Sequence, residues 1–404
     1  MTITHGFDPK RFISPTVKNI PPSGIRRFFD LVANTKGVIS LGVGEPDFVT
    51  PWHIREACVH SLEKGYTMYT SNYGMPELRQ AIASYLLDTF GLEYDPSKQI
   101  LVTIGASEAV DLALRTVINP GDEVLIPEPC YVAYQPVTRL AGGVPVTVPT
   151  TMEDNFALTA ARLESYITPR TKVLLLCFPN NPTGAVLDTD TMHAIAALVK
   201  KYNLLVISDE IYSELRYDGP PLSFAAIPGM QERTILINGF SKAFAMTGWR
   251  IGYVAAHPEF LAQMVKIHQY TILCAPIMSQ MAALEALRYG RENAKHMVEQ
   301  YNQRRRLVVK RLRDMGLECF EPQGAFYVFP SIKHTGLSSI EFAEKLLQEE
   351  KVAVVPGNAF GASAEGFIRC SYAASLADLI EAMNRMERFV ARHLALNSGA
   401  AAEA

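Results

Sequence analysis

Lys172–Val186 reads KVLLLCFPNNPTGAV, an unbroken apolar run that gives way at once to a turn of asparagines, prolines and a glycine. Continuous apolarity, with no polar alternation, is what a strand buried on both faces requires, and such strands belong to parallel sheets covered by helices. The same pattern recurs on both sides of it, in ILVTI (100–104), EVLIP (123–127), LLVIS (204–208), TILIN (234–238) and GYVAA (252–256). Amphipathic stretches such as TMHAIAALVKKY (191–202) separate these runs. The chain therefore predicts an α/β fold with a mostly parallel central sheet covered by helices.

Beyond about residue 285 the pattern changes to a charged helix, NQRRRLVVKRLRDMG (302–316), followed by short strands in AFYVF (325–329), VAVVP (352–356) and FIRCSY (367–372). That mixture predicts a smaller α+β domain. The first residues, with PPSGIRRFFD at 21–30, predict an arm and one helix. The expected division is 1–48 for the arm and part of the smaller domain, 49–285 for the large α/β domain, and 286–404 for the smaller one.

At 404 residues the chain exceeds what one core usually supports. It is 48% hydrophobic and 20% charged with a formal net charge of −3, so it has neither the basic footprint of a nucleic-acid binder nor an apolar run long enough for a membrane span. The opening MTITHGFDPKRFISP has charges and a proline where a secretory leader needs an apolar centre, and a cytoplasmic location is expected. The six cysteines lie far apart without metal-site spacing and read as reduced thiols; His53 and His60 have no third ligand in view, so no metal is expected.

In parallel sheets the ligand crevice lies beyond the carboxyl ends of the strands, which directs attention to the polar residues that end each run. These are Ala106 and Ser107 opening a helix, Tyr131, Asn181, Asp209 with Tyr212, and Ser241 with Lys242. Asn181, Asp209 and Lys242 follow one another by 28 and 33 residues, close to the span of about 30 for one strand–helix–strand unit. They would then face one cavity.

A lysine, a carboxylate, an amide and a helix N-terminus together suit pyridoxal phosphate, which needs an amine for its aldehyde, an acid for its ring nitrogen, donors for its phenolic oxygen and a cup for its phosphate. Each residue has a plainer reading alone. Asp is a common helix cap, a single lysine is ordinarily solvated, and tyrosine is often core. In SKAFAMTGWRIGY (241–253), however, Lys242 and Arg250 are the only charges in an apolar, small-residue segment. A neighbouring cation and burial both keep an amine uncharged, and a guanidinium fork fits a phosphate. Glu210, one residue past Asp209, should point to the opposite face. In FIRCSY, Arg369 is either half of an ion pair or a carboxylate receptor.

SKAFAMTGWRIGY, FPNNPTGAV (178–186), SDEIYSELRYD (208–218), GVGEPDF (42–48) and GFIRCSYA (366–373) together resemble the class I pyridoxal-phosphate aminotransferases of fold type I. GASEAVDLALRT (105–116) and VKIHQYTILCAP (265–276) are most similar to the bacterial subgroup with aromatic, aspartate and N-acetyl-diaminopimelate enzymes. The resemblance implies Lys242 as the lysine carrying the cofactor, Asp209 at the ring nitrogen, and Tyr212 and Asn181 at the phenolic oxygen. It implies Ala106, Ser107, Ser241 and Arg250 in the phosphate cup, Tyr131 stacked on the ring, and Arg369 with Gly44 on the substrate carboxylate, where Asn181 and Tyr131 also border the substrate. Tyr69, in TMYTSNYG (67–74), would reach the partner's phosphate in a homodimer.

Two departures stand out. Gly239 occupies a place where some relatives have a second phosphate-binding serine, and QYTILCAP (269–276) has no arginine where some aspartate-specific enzymes present one. The expected activity is transfer of an amino group from an L-amino acid to a 2-oxo acid, with 2-oxoglutarate as acceptor. A β-eliminating carbon–sulfur lyase on the same scaffold is the alternative. A serine hydrolase built on Ser241 and Lys242 leaves Asp209 and Arg250 unexplained, and the GxG of Gly42–Gly44 has Asp47 where a dinucleotide fingerprint needs its third glycine.

Overall fold

The computed structural model describes residues 7–22, 32 and 35–402, with 395–402 by backbone alone. The helix expected around 21–30 lies almost wholly outside the described residues. Strand β1 (Ile39–Ser40) precedes seven strands, β2 (Ile100–Thr103), β3 (Glu123–Glu128), β4 (Val144–Pro149), β5 (Thr171–Cys177), β6 (Leu205–Asp209), β7 (Thr234–Gly239) and β8 (Gly252–Ala255), which form one sheet in the order β2-β8-β7-β6-β5-β3-β4. β3 to β7 pair in parallel, as their apolar runs predict. β8 alone is antiparallel, to both β7 and β2.

The two faces of the sheet bury separate sets of side chains. Val173, Leu175 and Cys177 point into one core with Ile207, Ile235 and Ile237, whereas Leu174 and Leu176 point into another with Val206, Leu187 and Ile195. This is the period-two alternation of a strand whose faces are both covered. Helix Gly105–Val117 covers the first face with Ala109, Val110, Leu112, Ala113 and Val117, and helix Thr189–Lys201 covers the second with Met192, Ile195 and Val199.

Strand β4 was not expected. Its sequence, VPVTVP, holds two prolines and stays mostly half-exposed, because it is the sheet's edge, where a missing N–H costs no ladder bond.

Downstream, β9 (Tyr327–Val328), β11 (Val355–Pro356) and β12 (Ile368–Ser371) make an antiparallel sheet ordered β11-β12-β9. Strand β10 (Val352–Ala353) pairs in parallel with β1, so residues 39–40 join the C-terminal elements. Helix Arg291–Asp314 buries Tyr301, Val308 and Leu312 among these strands.

The register Cys177↔Asp209↔Ile237 lines up the carboxyl ends of β5, β6 and β7. The chain then crosses from β7 to β8 through residues 240–251, a connection without a regular α-helix. It returns the chain antiparallel, beside β7.

Candidate active site

A cavity of about 620 Å³ opens beyond these strand ends. Ala106, Ser107, Tyr131, Asn181, Asp209, Tyr212, Ser241, Lys242 and Arg250 line it from the seven-stranded sheet, and Gly44 and Arg369 line it from the opposite side. Tyr69 is not among the lining residues and stands 82% exposed on the protomer surface.

Asp209 ends β6, fully buried. Its Oδ2 accepts from the Tyr134 hydroxyl at 2.7 Å and its Oδ1 from Ile211 N–H at 3.3 Å. Burial pushes the acid up to about 6, against the pull of those donors and of Lys242. Glu210 turns the other way and accepts from Ser208 Oγ, Ser223 Oγ and Phe224 N–H, so neighbouring carboxylates serve opposite faces.

Lys242 is half-buried, with its Nζ donating to Gly44 O at 2.6 Å and lying 5.8 Å from the Tyr212 and Phe326 ring centres. Burial first, then the guanidinium groups of Arg369 and Arg250, lower its pKa to about 8, while Glu45 and Asp209 oppose the shift. The amine therefore gives up its proton far more readily than an ordinary lysine.

Arg369 projects from β12 and is 3% exposed. It donates to Asn181 Oδ1 at 2.9 Å and Gly42 O at 2.6 Å, and its guanidinium lies 4.3 Å from the Tyr327 ring centre. Its Nε is buried without a partner, and no carboxylate of the chain is paired with it among the described residues. Of the two readings of this arginine, ion pair or receptor, the first finds no acidic partner among the described residues. Gly44 lets the wall close, for a Cβ there would lie 2.7 Å from the Tyr327 hydroxyl.

At the other end Gly105, with φ +74°, begins helix Gly105–Val117, and the Arg250 guanidinium lies so close that a Cβ on Gly105 would meet it at 2.7 Å. Arg250 itself takes the left-handed conformation and donates to Thr247 O. The first N–H groups of this helix have no partner within it, so guanidinium and helix N-terminus converge on one spot suited to an anion. At Gly239 a Cβ would come within 3.1 Å of Gly252 Cα and Ile251 O, and close strand packing occupies the space a serine would use.

Residues 36–386 match the family model for aminotransferase class I and II. The chain belongs to that family. Among its relatives, this aminotransferase is 55% identical over 379 residues to the putative aminotransferase YugH of Bacillus subtilis, covering 94% of this chain and 98% of the relative. It is 47% identical over 379 residues to aromatic-amino-acid aminotransferase 2 of Thermococcus litoralis, covering 93% and 97%. The crystal structure of the aromatic aminotransferase from Pyrococcus horikoshii superposes with a TM-score of 0.87 at 47% identity, covering 91% of this chain and 99% of that one.

Pyridoxal phosphate is the cofactor of this aminotransferase, and the cavity fits it. Asp209, a buried acid pushed up to about 6, has no ion-pair partner in contact among the described residues, a place that a protonated ring nitrogen would take; the Lys242 amine, its pKa lowered to about 8, lines the same cavity; and the cradle at Gly105 would be filled by a Cβ.

Sequence reasoning missed Tyr134 and Tyr327. Tyr134 holds Asp209, and Tyr327 hydrogen-bonds the Tyr212 hydroxyl at 2.8 Å while lying under Arg369. The only available signal was proximity in sequence, with Tyr134, which opens helix Tyr134–Leu140, three residues after Tyr131.

Proposed function

We propose that this aminotransferase takes the amino group of an L-amino acid with an aromatic side chain and delivers it to 2-oxoglutarate. The supporting observation is one cavity lined by the Lys242 amine, its pKa lowered to about 8, by buried Asp209 and by Arg369, which has no carboxylate partner among the described residues. Tyr131, Val43, Val132 and Val137 give the lining an apolar portion able to receive a ring. Relatives named for aromatic and for aspartate substrates bracket the choice of donor.

In this reading Lys242 Nζ would hold the cofactor, and its amine, when free, would take the proton from the substrate α-carbon and give it back. When bound, the cofactor supplies an aldehyde to receive the amino group and a ring that accepts electrons from that carbon. Asp209 keeps the ring nitrogen protonated, and Tyr134 orients Asp209. Tyr212 and Asn181 hold the phenolic oxygen, and Tyr131 covers the ring. Ala106, Ser107, Ser241 and Arg250 seat the phosphate. Arg369 clamps the substrate carboxylate beside Gly44, aligning the α-carbon under Lys242.

The chain works as a cytoplasmic homodimer in which Tyr69, exposed on each protomer, completes the partner's phosphate seat. Residues 49–285 carry the cofactor, and 286–404 with part of 1–48 form the smaller domain that brings Arg369 to it.

Two measurements test the reading. Borohydride reduction of the holoenzyme followed by peptide mapping should place the pyridoxyl group on Lys242, and Lys242→Ala should lose at least about 10²–10⁴-fold in turnover. A mutant with normal turnover would end the assignment. A half-reaction screen should favour phenylalanine and tyrosine over aspartate and N-acetyl-LL-diaminopimelate; preference for either of the latter would replace the aromatic donor.

A further inference from the structure

Helix Pro258–Thr271 packs against helix Gly105–Val117, and where they meet two ionisable side chains are buried together. His268 is fully buried, and its Nδ1 lies 2.6 Å from Glu108 Oε1. The other carboxylate oxygen, Glu108 Oε2, accepts from Ile104 N–H at 2.5 Å. Neither residue lines the cavity, and neither has a part in the chemistry above.

Glu108 stands in the first turn of the helix whose opening residues, Gly105 to Ser107, form the phosphate seat. Its carboxylate reaches back to the N–H of the N-cap residue, Ile104, which the helix itself leaves without a partner. That bond occupies the N–H immediately before the seat and leaves the next ones to point outward. A carboxylate so near an anion site is also electrostatically adverse unless donors hold both its oxygens. His268 provides the second donor. The cost is visible, because His268 Nε2 is buried with no partner, and a protein rarely leaves such a group unpaired without return.

We propose that His268 is a positioning residue for the cofactor's phosphate seat, acting through Glu108. The imidazole locks the carboxylate, the carboxylate locks the Ile104 turn, and the turn aims the helix N–H groups and Ser107. The inference rests on the reading above that residues 105–107 and Arg250 hold the phosphate. His268 also ends its own helix, its carbonyl accepting from Ile272 and Leu273 N–H, and Leu273 O accepts from Asn72 Nδ2. The seat is thereby tied to the segment that carries Tyr69.

The test measures cofactor binding to the apoenzyme and the ³¹P resonance of the bound phosphate, with turnover as a secondary readout. His268→Leu should loosen pyridoxal phosphate about tenfold or more and shift the resonance. His268→Asn, whose amide N–H takes the place of Nδ1–H, should restore binding to within about threefold of wild type. Glu108→Ala should match His268→Leu, and the double variant should be no more than about threefold worse than either, as expected of two groups acting in series. Glu108→Ala also keeps the test alive if the leucine variant does not fold. Wild-type affinity and an unmoved resonance in His268→Leu, failure of asparagine to rescue, or additive losses would each overturn the proposal. Arg250→Ala separates the layers. It should loosen the cofactor about 10²-fold, and unchanged affinity there would overturn the seat and this inference with it, whereas loss there with none in His268→Leu would overturn the pair alone.

Discussion

Tyr134 donates its hydroxyl to Asp209 Oδ2 across 2.7 Å at the floor of the cavity, from a helix 75 residues away in sequence. Without it the carboxylate would keep only Ile211 N–H, at 3.3 Å, and burial would push its pKa further above about 6. Tyr134→Phe should therefore cost about 5–30-fold in kcat/KM at neutral pH and move the acid limb of the pH–rate profile upward. An acid limb that stays in place would argue against Tyr134 as the residue that sets Asp209.

The same carboxylate should be a burden to the protein when the cofactor is stripped. Its pKa is raised in the fold from 3.8 to about 6, chiefly by burial, so the folded state binds its proton more tightly than the unfolded one. The stability it contributes is present in full below about pH 4 and is lost as the pH rises through about 6. Asp209→Asn removes that loss. The variant apoenzyme should be about 1–3 kcal/mol more stable than wild type near pH 7.5 and no more stable near pH 4, by urea unfolding. Equal differences at both values would show that the carboxylate does not titrate in this window.

Lys242 offers a direct chemical reading of its surroundings. Burial and two guanidinium groups bring its amine down to about 8, against about 10.4 for an ordinary lysine. An acylating reagent used in trace amount on the apoenzyme should modify Lys242 ahead of exposed lysines, with a rate that rises through a midpoint near pH 8. Arg369→Gln removes the larger of the two cationic contributions and should shift that midpoint upward.

The proposed sharing of Tyr69 between subunits has a quantitative signature. Tyr69→Ala and Lys242→Ala chains, each nearly inactive alone, form mixed dimers with one doubly damaged site and one intact site. Statistical reassociation should restore about one quarter of wild-type activity. No recovery would mean that Tyr69 serves its own pocket or none.

Much of this site was legible because a parallel sheet gathers its strand ends. Each polar residue that terminates an apolar run, from Ser107 to Lys242, had to face the same crevice once the strands were placed. Arg369 was legible as an oddity, a cation in an apolar strand open to an ion-pair or a receptor reading; what the sequence could not show was its lack of an acidic partner among the described residues. Tyr134 and Tyr327 were not legible, because a tyrosine in a helix or in AFYVF looks like core and their partners lie 75 and 115 residues away. His268 and Glu108 were hidden for the same reason, being 160 residues apart. Strand β4 was lost to its two prolines, which an edge strand tolerates.

Gly239 and Gly252 face one another in register, so residues 240–251 leave and rejoin the sheet on the same rung of its ladder. A strap pinned in this way has no slack. Ordinary surface loops absorb an extra residue at little entropic cost, but here one insertion must either slide β8 and turn its side chains to the wrong face or alter the separation of Lys242 from Arg250. Lineages and engineers can vary the walls of the cavity residue by residue. The length of this strap is closed to both.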